Sequence, residues 1–216
     1  MHTIAVLSEK GGVGKTTIAL DLAVTADHLG KRATVLDIDP QATASKWTDR
    51  RVSDTPRVIP THGVRLGAAI SKAKADGVEL VVIDTPPHSS ADAVEAARWA
   101  DFVLVPVEPH VFSLDTLAKS ADLLNLAGAP AACYVINKAP TQGSEVLEAL
   151  AYISGLGLLA CPVILHLRAA HRHASNAGKS AAEFEASSKA ASETFELYNY
   201  VLQALRKGKN GKVNAR

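Results

Sequence analysis

Glu9-Lys10-Gly11-Gly12-Val13-Gly14-Lys15-Thr16-Thr17 is the stretch that decides how this chain folds. It follows an apolar run, Thr3-Ile4-Ala5-Val6-Leu7, and opens a helical stretch from about Lys15 to Leu29. Gly11, Gly12 and Gly14 let backbone N–H groups turn inward around an anion without Cβ clashes. The helix N-terminus adds its dipole to the same place. Lys15 is placed to reach β- and γ-phosphates, and the Thr16 hydroxyl to ligate Mg²⁺. The strict phosphate-loop pattern wants glycine five places before Gly14; here that place is Glu9, followed by a second lysine, Lys10. Glycine-rich turns also occur without ligands, but here strand, loop, Lys-Thr pair and helix coincide.

Outward from the loop, short apolar runs alternate with helical stretches. Gly30 ends the first helix and Arg32 to Ile38 reads as the next strand. Further strands are expected at Arg57 to Pro60, Leu80 to Ile83, Phe102 to Val107, Ala132 to Ile136 and about Leu158 to Leu165. Helices are expected near 42–50, 64–75, 90–99, 114–127 and 144–153. The alternation predicts an α/β fold with a mostly parallel central sheet and helices on both faces. Leu80-Val81-Val82-Ile83, apolar without alternation, fits a strand covered on both sides. After residue 166 only helices are expected, Arg168 to Ala177 and Ser187 to about Leu205. The second places Phe195, Tyr198, Leu202 and Leu205 on one core-facing stripe. Residues 1–205 read as one domain. Residues 206–216 read as a flexible tail, holding five basic residues and no acidic ones.

A chain of 216 residues, 47% of them hydrophobic, can bury one α/β core and is not globally disordered. Lys and Arg (23) nearly balance Asp and Glu (22), which excludes a globally basic nucleic-acid binder and leaves room only for a local patch. Cys133 and Cys161 cannot make a disulfide framework or a four-thiolate metal site, and read as small buried hydrophobes of a reducing compartment. Neither an export signal nor an apolar window of about 18 residues is present, so a soluble cytoplasmic protein is expected.

Two further motifs accompany the loop. Asp37-Ile38-Asp39-Pro40-Gln41 follows the second strand, so two carboxylates leave a strand end beside the phosphate site. Val81-Val82-Ile83-Asp84-Thr85-Pro86-Pro87 ends another strand with an acid, and Val135-Ile136-Asn137-Lys138 ends a later one. Together with the Lys10 and Lys15 pair, these segments resemble the deviant Walker A ATPases of the ParA/MinD class. The resemblance covers nearly the whole chain and is nearest in kind to the short ParA plasmid-partition proteins.

The resemblance implies an ATPase that is Mg²⁺-dependent, slow on its own, and active as a sandwich dimer formed on ATP. Lys10 of each subunit would reach the phosphates bound by the other. Gly11, Gly12, Val13, Gly14, Lys15, Thr16 and Thr17 would cradle the nucleotide, with Thr17 beside the α-phosphate and Asn137 at the adenine. Asp39 would orient the attacking water. Asp37 and Asp84 would support the metal through water. Implied partners are double-stranded DNA bound without sequence preference in the ATP state and a small ParB/ParG-like centromere-binding protein that stimulates hydrolysis. That implies a nucleoid-associated protein of the cytoplasm.

The residues themselves offer a basic surface for this. Arg168 and Arg172, four apart, share a helix face; Lys179 continues it if the helix runs through Gly178; Lys189, Arg206 and Lys207 lie further on. No helix-turn-helix segment precedes the loop, so sequence-specific operator binding is not expected. The rival readings are membrane cycling like MinD and a protein cargo such as a microcompartment. Stable membrane insertion is not expected, because the segment after Leu205 has only Val213 as a large apolar residue. A metal-linked reductase would need closely spaced cysteines. His166, His171 and His173 read as surface histidines.

Overall fold

The computed structural model describes residues 1–88 and 90–213. Six strands form one sheet: β1 (His2–Val6), β2 (Ala33–Asp37), β3 (Arg57–Pro60), β4 (Leu80–Asp84), β5 (Phe102–Val107) and β6 (Ala132–Ile136). Their order is β3-β2-β4-β1-β5-β6, and every pairing is parallel. The helices are α1 (Lys15–His28), α2 (Thr43–Thr48), α3 (Leu66–Ala75), α4 (Ser90–Trp99), α5 (Val111–Leu114), α6 (Leu117–Leu126), α7 (Glu145–Gly155), α8 (Ala169–Asn176), α9 (Ala181–Phe184) and α10 (Lys189–Val213).

Because successive side chains of a strand point to opposite faces, β1 divides its residues between two cores. Ile4 and Val6 join Val35, Val82 and Leu104 beneath α1 and α10; Ala5 and Leu7 join Leu36, Ile83 and Val105 beneath α3, α4, α6 and α7. Both faces are covered, which is why the strands read as continuous apolar runs. α1 is buried almost all round, from Ile18 to Ala26, between the sheet and α10. A parallel sheet puts all strand carboxyl ends on one edge. The loop after β1, Asp37, Asp84, Glu108 and Asn137 therefore share one rim.

Four expectations need correction. The run 158–165 is not a regular strand. It meets β6 through an isolated bridge, Ala160 to Tyr134, and His166 bridges Ala139 beyond the strand; Cys161 donates to Tyr134 and Leu165 to Ile136, so four residues oppose two and the run bulges out of the ladder. The helix expected near 114–127 is two pieces, α5 and α6. On α10 the buried stripe is Thr194, Leu197, Tyr198, Val201 and Leu205, whereas Phe195 is 46% exposed. The same helix, expected to end at about Leu205, continues to Val213; residues 214–216 lie outside the described residues. Both cysteines are fully buried, as their apolar settings predicted.

Candidate functional site

The glycine loop runs from the end of β1 into α1 as its composition requires. Gly12 (φ 78°) and Gly14 (φ 94°) both occupy the left-handed region, and a Cβ on Gly14 would collide with Asn137 Nδ2. Gly14 is also the residue that caps α1. No side chain caps this helix end and its first turn has no acidic residue, so its N–H groups remain open to an anion. Lys15 is buried (6% exposed), and its Nζ lies 3.3 Å from the Ser8 carbonyl oxygen and 3.2 Å from that of Lys10. Burial lowers its pKa, against the opposing pull of Asp84, Asp39 and Glu9.

The carboxylates gather beside this lysine. Asp37 and Asp84 are register partners at the ends of β2 and β4. Asp37 is clamped: its Oδ2 accepts from the amide and the hydroxyl of Ser45, both at 2.9 Å, and its Oδ1 accepts from the Asp39 amide at 3.2 Å. Asp39 is half-buried and accepts from the Gln41 amide at 2.8 Å. Asp84 is fully buried, and among the described residues neither of its oxygens completes a hydrogen bond. Burial pushes this carboxyl up to about 7, with the Thr16 hydroxyl acting in the opposite direction.

Orphaned acid oxygens beside a threonine hydroxyl and a phosphate loop fit a hard cation. Among the described residues no three His, Cys, Asp or Glu side chains converge into a cage. That is the setting for a magnesium ion held mainly by water and phosphate. Thr85 fixes the geometry by donating to the Val6 carbonyl at 2.9 Å, tying the end of β4 to β1.

Lys10 points elsewhere. Its Nζ lies 3.0 Å from His110 Nε2 and 3.9 Å from Glu108 Oε2. Lys138 pairs with the other oxygen of Glu108 at 2.9 Å and also donates to the Gly12 carbonyl. Asn137 donates to the Val13 carbonyl at 2.7 Å, so its side chain supports the loop from beside it.

A cavity of about 200 Å³ opens next to Gly14 and Thr17, lined by Asn137, Leu165, His166, Arg168, His171 and Arg172 among others. Its polar wall is built from distant pairs. His171 Nδ1 lies 3.0 Å from Asp21 Oδ2; burial alone would lower the pKa of this ring, but the carboxylate outweighs it and raises it. Glu193 accepts from the guanidinium of Arg168, and from the amide (3.0 Å) and ring (2.9 Å) of His166. Behind the wall, Arg51 makes a two-pronged pair with Glu183 (2.8 and 2.7 Å), donates to the Gly178 carbonyl at 3.0 Å and lies 4.6 Å over the Trp47 ring. Gly178 (φ 64°) lets this segment touch the 50–51 backbone; a Cβ there would sit 2.5 Å from the Arg50 carbonyl carbon.

The expected basic stripe does not form. Arg168 is the extended residue before α8, half-buried and paired with Glu193. α8 stops at Asn176, and the left-handed Gly178 turns Lys179 off its face. Lys189, Arg206 and Lys207 are exposed on α10, but 17 residues of helix put about 25 Å between Lys189 and Arg206. His171 is not a surface histidine, whereas His173 is exposed.

Sequence reasoning did not find Ser45, Glu108, His110 or the Arg51–Glu183 pair. Glu108 alone had a visible signal, because it leaves the carboxyl end of a strand as Asp37 and Asp84 do.

Comparison with known proteins agrees with this geometry. Soj, the chromosome-partitioning ATPase of Thermus thermophilus, is 31% identical over 147 residues, 55% of this chain and 59% of that protein's length. Maintenance of carboxysome distribution protein A from Gloeobacter kilaueensis is 29% identical over 190 residues, 83% of each chain. An ATP complex of a Cyanothece McdA variant shares the fold with a TM-score of 0.76 at 18% identity, over 94% of this chain and 96% of that one. The sequence profile of the CobQ/CobB/MinD/ParA nucleotide binding domain matches residues 4–210, and the chain belongs to that family.

Proposed function

We propose that this protein is a ParA-like ATPase that dimerises on ATP, binds DNA without sequence preference and uses hydrolysis to move or position a cargo. One observation carries the reading: the two lysines of one loop lie in separate surroundings. Lys15 is buried against the loop backbone, where it meets phosphate within its own subunit. Lys10 stands at the rim with its ammonium outside that cradle, against His110 and Glu108, and in this reading it adds positive charge to a nucleotide held by a second copy.

In this reading Gly11 to Thr17 bind the phosphates through backbone N–H groups, and Asn137 keeps the loop in shape from the cavity side. Asp39, tethered by Gln41 and by its amide to Asp37, orients the attacking water. Thr16, Asp37 and Asp84 are the groups that would hold Mg²⁺, which when bound neutralises charge on the phosphates. With no partner to press Asp39 into place, turnover is slow. Partners are DNA and a small centromere-binding protein of the ParB/ParG kind. The DNA surface is assigned to the exposed Arg172, Lys179, Lys189, Arg206 and Lys207, with Arg168 already engaged by Glu193. Among the described residues no helix is long and apolar enough to cross a membrane. Up to Leu205 the apolar stripe of α10 packs into the core, which disfavours membrane cycling through that stripe.

A second reading concerns the cargo alone. The relative matched over 83% of both lengths is named for carboxysome distribution, so a protein body is the alternative to a plasmid or chromosome.

The test is binding to a fluorescent duplex of arbitrary sequence without nucleotide, with ADP and with ATP plus Mg²⁺. Binding only with ATP, weakening as salt rises, is the expected result. An intact ATP dimer that ignores DNA in every state would overturn the DNA part of the reading.

A further inference from the structure

The place where Lys10 rests has the features of a built site. Glu108 closes β5, and its carboxylate is 17% exposed. Its own amide is anchored by the Ser113 hydroxyl at 3.0 Å, and Lys138 holds Oε1 at 2.9 Å. Burial alone would raise this carboxyl, but hydrogen bonds from Lys138 and His110 outweigh it and keep it below the usual glutamate range. Ser113 and Lys138 thus anchor Glu108 independently of Lys10.

His110 gives the cradle two states. Its Nε2 lies 2.8 Å from Glu108 Oε2 and 3.0 Å from Lys10 Nζ. One ring nitrogen cannot serve both neighbours, because Glu108 only accepts and the ammonium only donates. With a proton on Nε2 the ring donates to Glu108 and offers the ammonium no acceptor. With a lone pair there, the ring accepts from Lys10. The charged groups around the ring are Glu108, Lys10 and Lys138, and the remaining neighbour is the Phe112 ring, 6.4 Å away and edge-on. The Lys10 to Glu108 distance of 3.9 Å at a partly exposed site makes the hold weak and hence reversible.

We propose that Glu108 and His110 form a holding site for the Lys10 ammonium on its own subunit, which Lys10 must leave before it acts on a nucleotide held by a second copy of the chain. Glu108 and His110 are positioning residues for Lys10, and neither lines the cavity beside Gly14. The inference rests on the reading that Lys10 works across a dimer, and it also makes a claim about the nucleotide-free monomer.

Two measurements on the full chain separate these claims. Trace acylation with acetic anhydride, followed by mass spectrometry, reports how shielded Lys10 is relative to the exposed Lys119 without nucleotide. Glu108→Gln and His110→Ala should each raise Lys10 labelling, Glu108→Gln by about threefold, the size expected when a partly exposed ion pair is lost. Glu79→Gln, which removes the partner of Lys31 at the opposite end of the sheet, should leave it unchanged. Unchanged labelling in Glu108→Gln, or an equal rise in Glu79→Gln, overturns the holding site. Sedimentation with ATP and Mg²⁺ then reports dimer formation. Glu108→Gln should form the dimer at about threefold lower protein concentration, and the gain should vanish when Lys10→Ala is added. Raised labelling with no ATP dimer even in the unmodified chain would leave Lys10 held but remove its role across subunits. A gain that survives Lys10→Ala would overturn the proposal.

Discussion

Two regions meet at Gly14, and they are made in different ways. The phosphate loop is built from nine consecutive residues, Glu9 to Thr17, whose shape follows from their own glycines and from the helix they open. The cavity on the other side of Gly14 has no such local origin. Its wall is assembled from His171 with Asp21, from Arg168 and His166 with Glu193, and behind them from Arg51 with Glu183, 132 residues away in sequence. The loop presents backbone donors that any residue type supplies once the turn is made. The cavity presents side-chain charges, and those of His171, Arg168 and His166 already face a carboxylate. A site of this kind binds phosphate by geometry and lines its neighbouring pocket by pairing.

The sharpest break in this contrast comes from the two lysines. Lys15→Ala should weaken labelled-ATP binding by about 100-fold, since charged hydrogen bonds to phosphate are lost from a preformed cradle. Lys10→Ala should change monomeric binding by no more than about twofold, because its ammonium is engaged by Glu108 and His110. Equal losses in an anisotropy titration would erase the division of labour between the two ends of the loop.

The next largest effect belongs to the cavity side. Arg51 is 3% exposed at its side chain, and removing it leaves the largely buried Glu183 with only the Ser180 amide and His28 beside it. Arg51→Ala should reduce the unfolding free energy by about 3 kcal/mol in urea titrations. A change below about 1 kcal/mol would mean that the wall is held by packing and not by pairing.

A smaller, pH-dependent effect is expected at Glu193. Burial alone would raise its carboxyl, but Arg168 and His166 overcome that and hold it below the ordinary value of 4.5. A depressed folded-state pKa stabilises above the unfolded value and loses that contribution as pH falls through the folded one. The stability gap between the unmodified chain and Glu193→Gln should therefore be about 1 kcal/mol at pH 7 and close below the glutamate range. A gap that persists in acid would assign the effect to packing around α10.

The same contrast decides what can be read from the chain alone. The alternation of strands and helices, the loop, and the places of Asp37, Asp84 and Asn137 at strand ends are legible because each rests on neighbours in sequence or on the end of a strand. Asp37 and Asp84 reach one rim only because the sheet is parallel, and that too follows from the β-α-β pattern. Ser45, Glu108 and the cavity pairs are not legible, since each depends on which distant side chain folding brings opposite. The expected stripe of Arg168, Arg172 and Lys179 failed for the same reason. Spacing alone makes them neighbours on a helix, but Glu193 claims the first and Gly178 turns the chain before the last.

Gly178 has a wider consequence. It is where the backbone carrying the cavity wall presses on the backbone of residues 50–51, just beyond the helix whose Ser45 clamps Asp37. The clearance between them is less than one methyl group. The two sides of the nucleotide site are thus joined like parts machined to a common tolerance, in which neither can drift alone. Over generations of sequence change, the loop after α8 and the turn after α2 should accept replacements only in matched sets, while surface turns elsewhere vary independently.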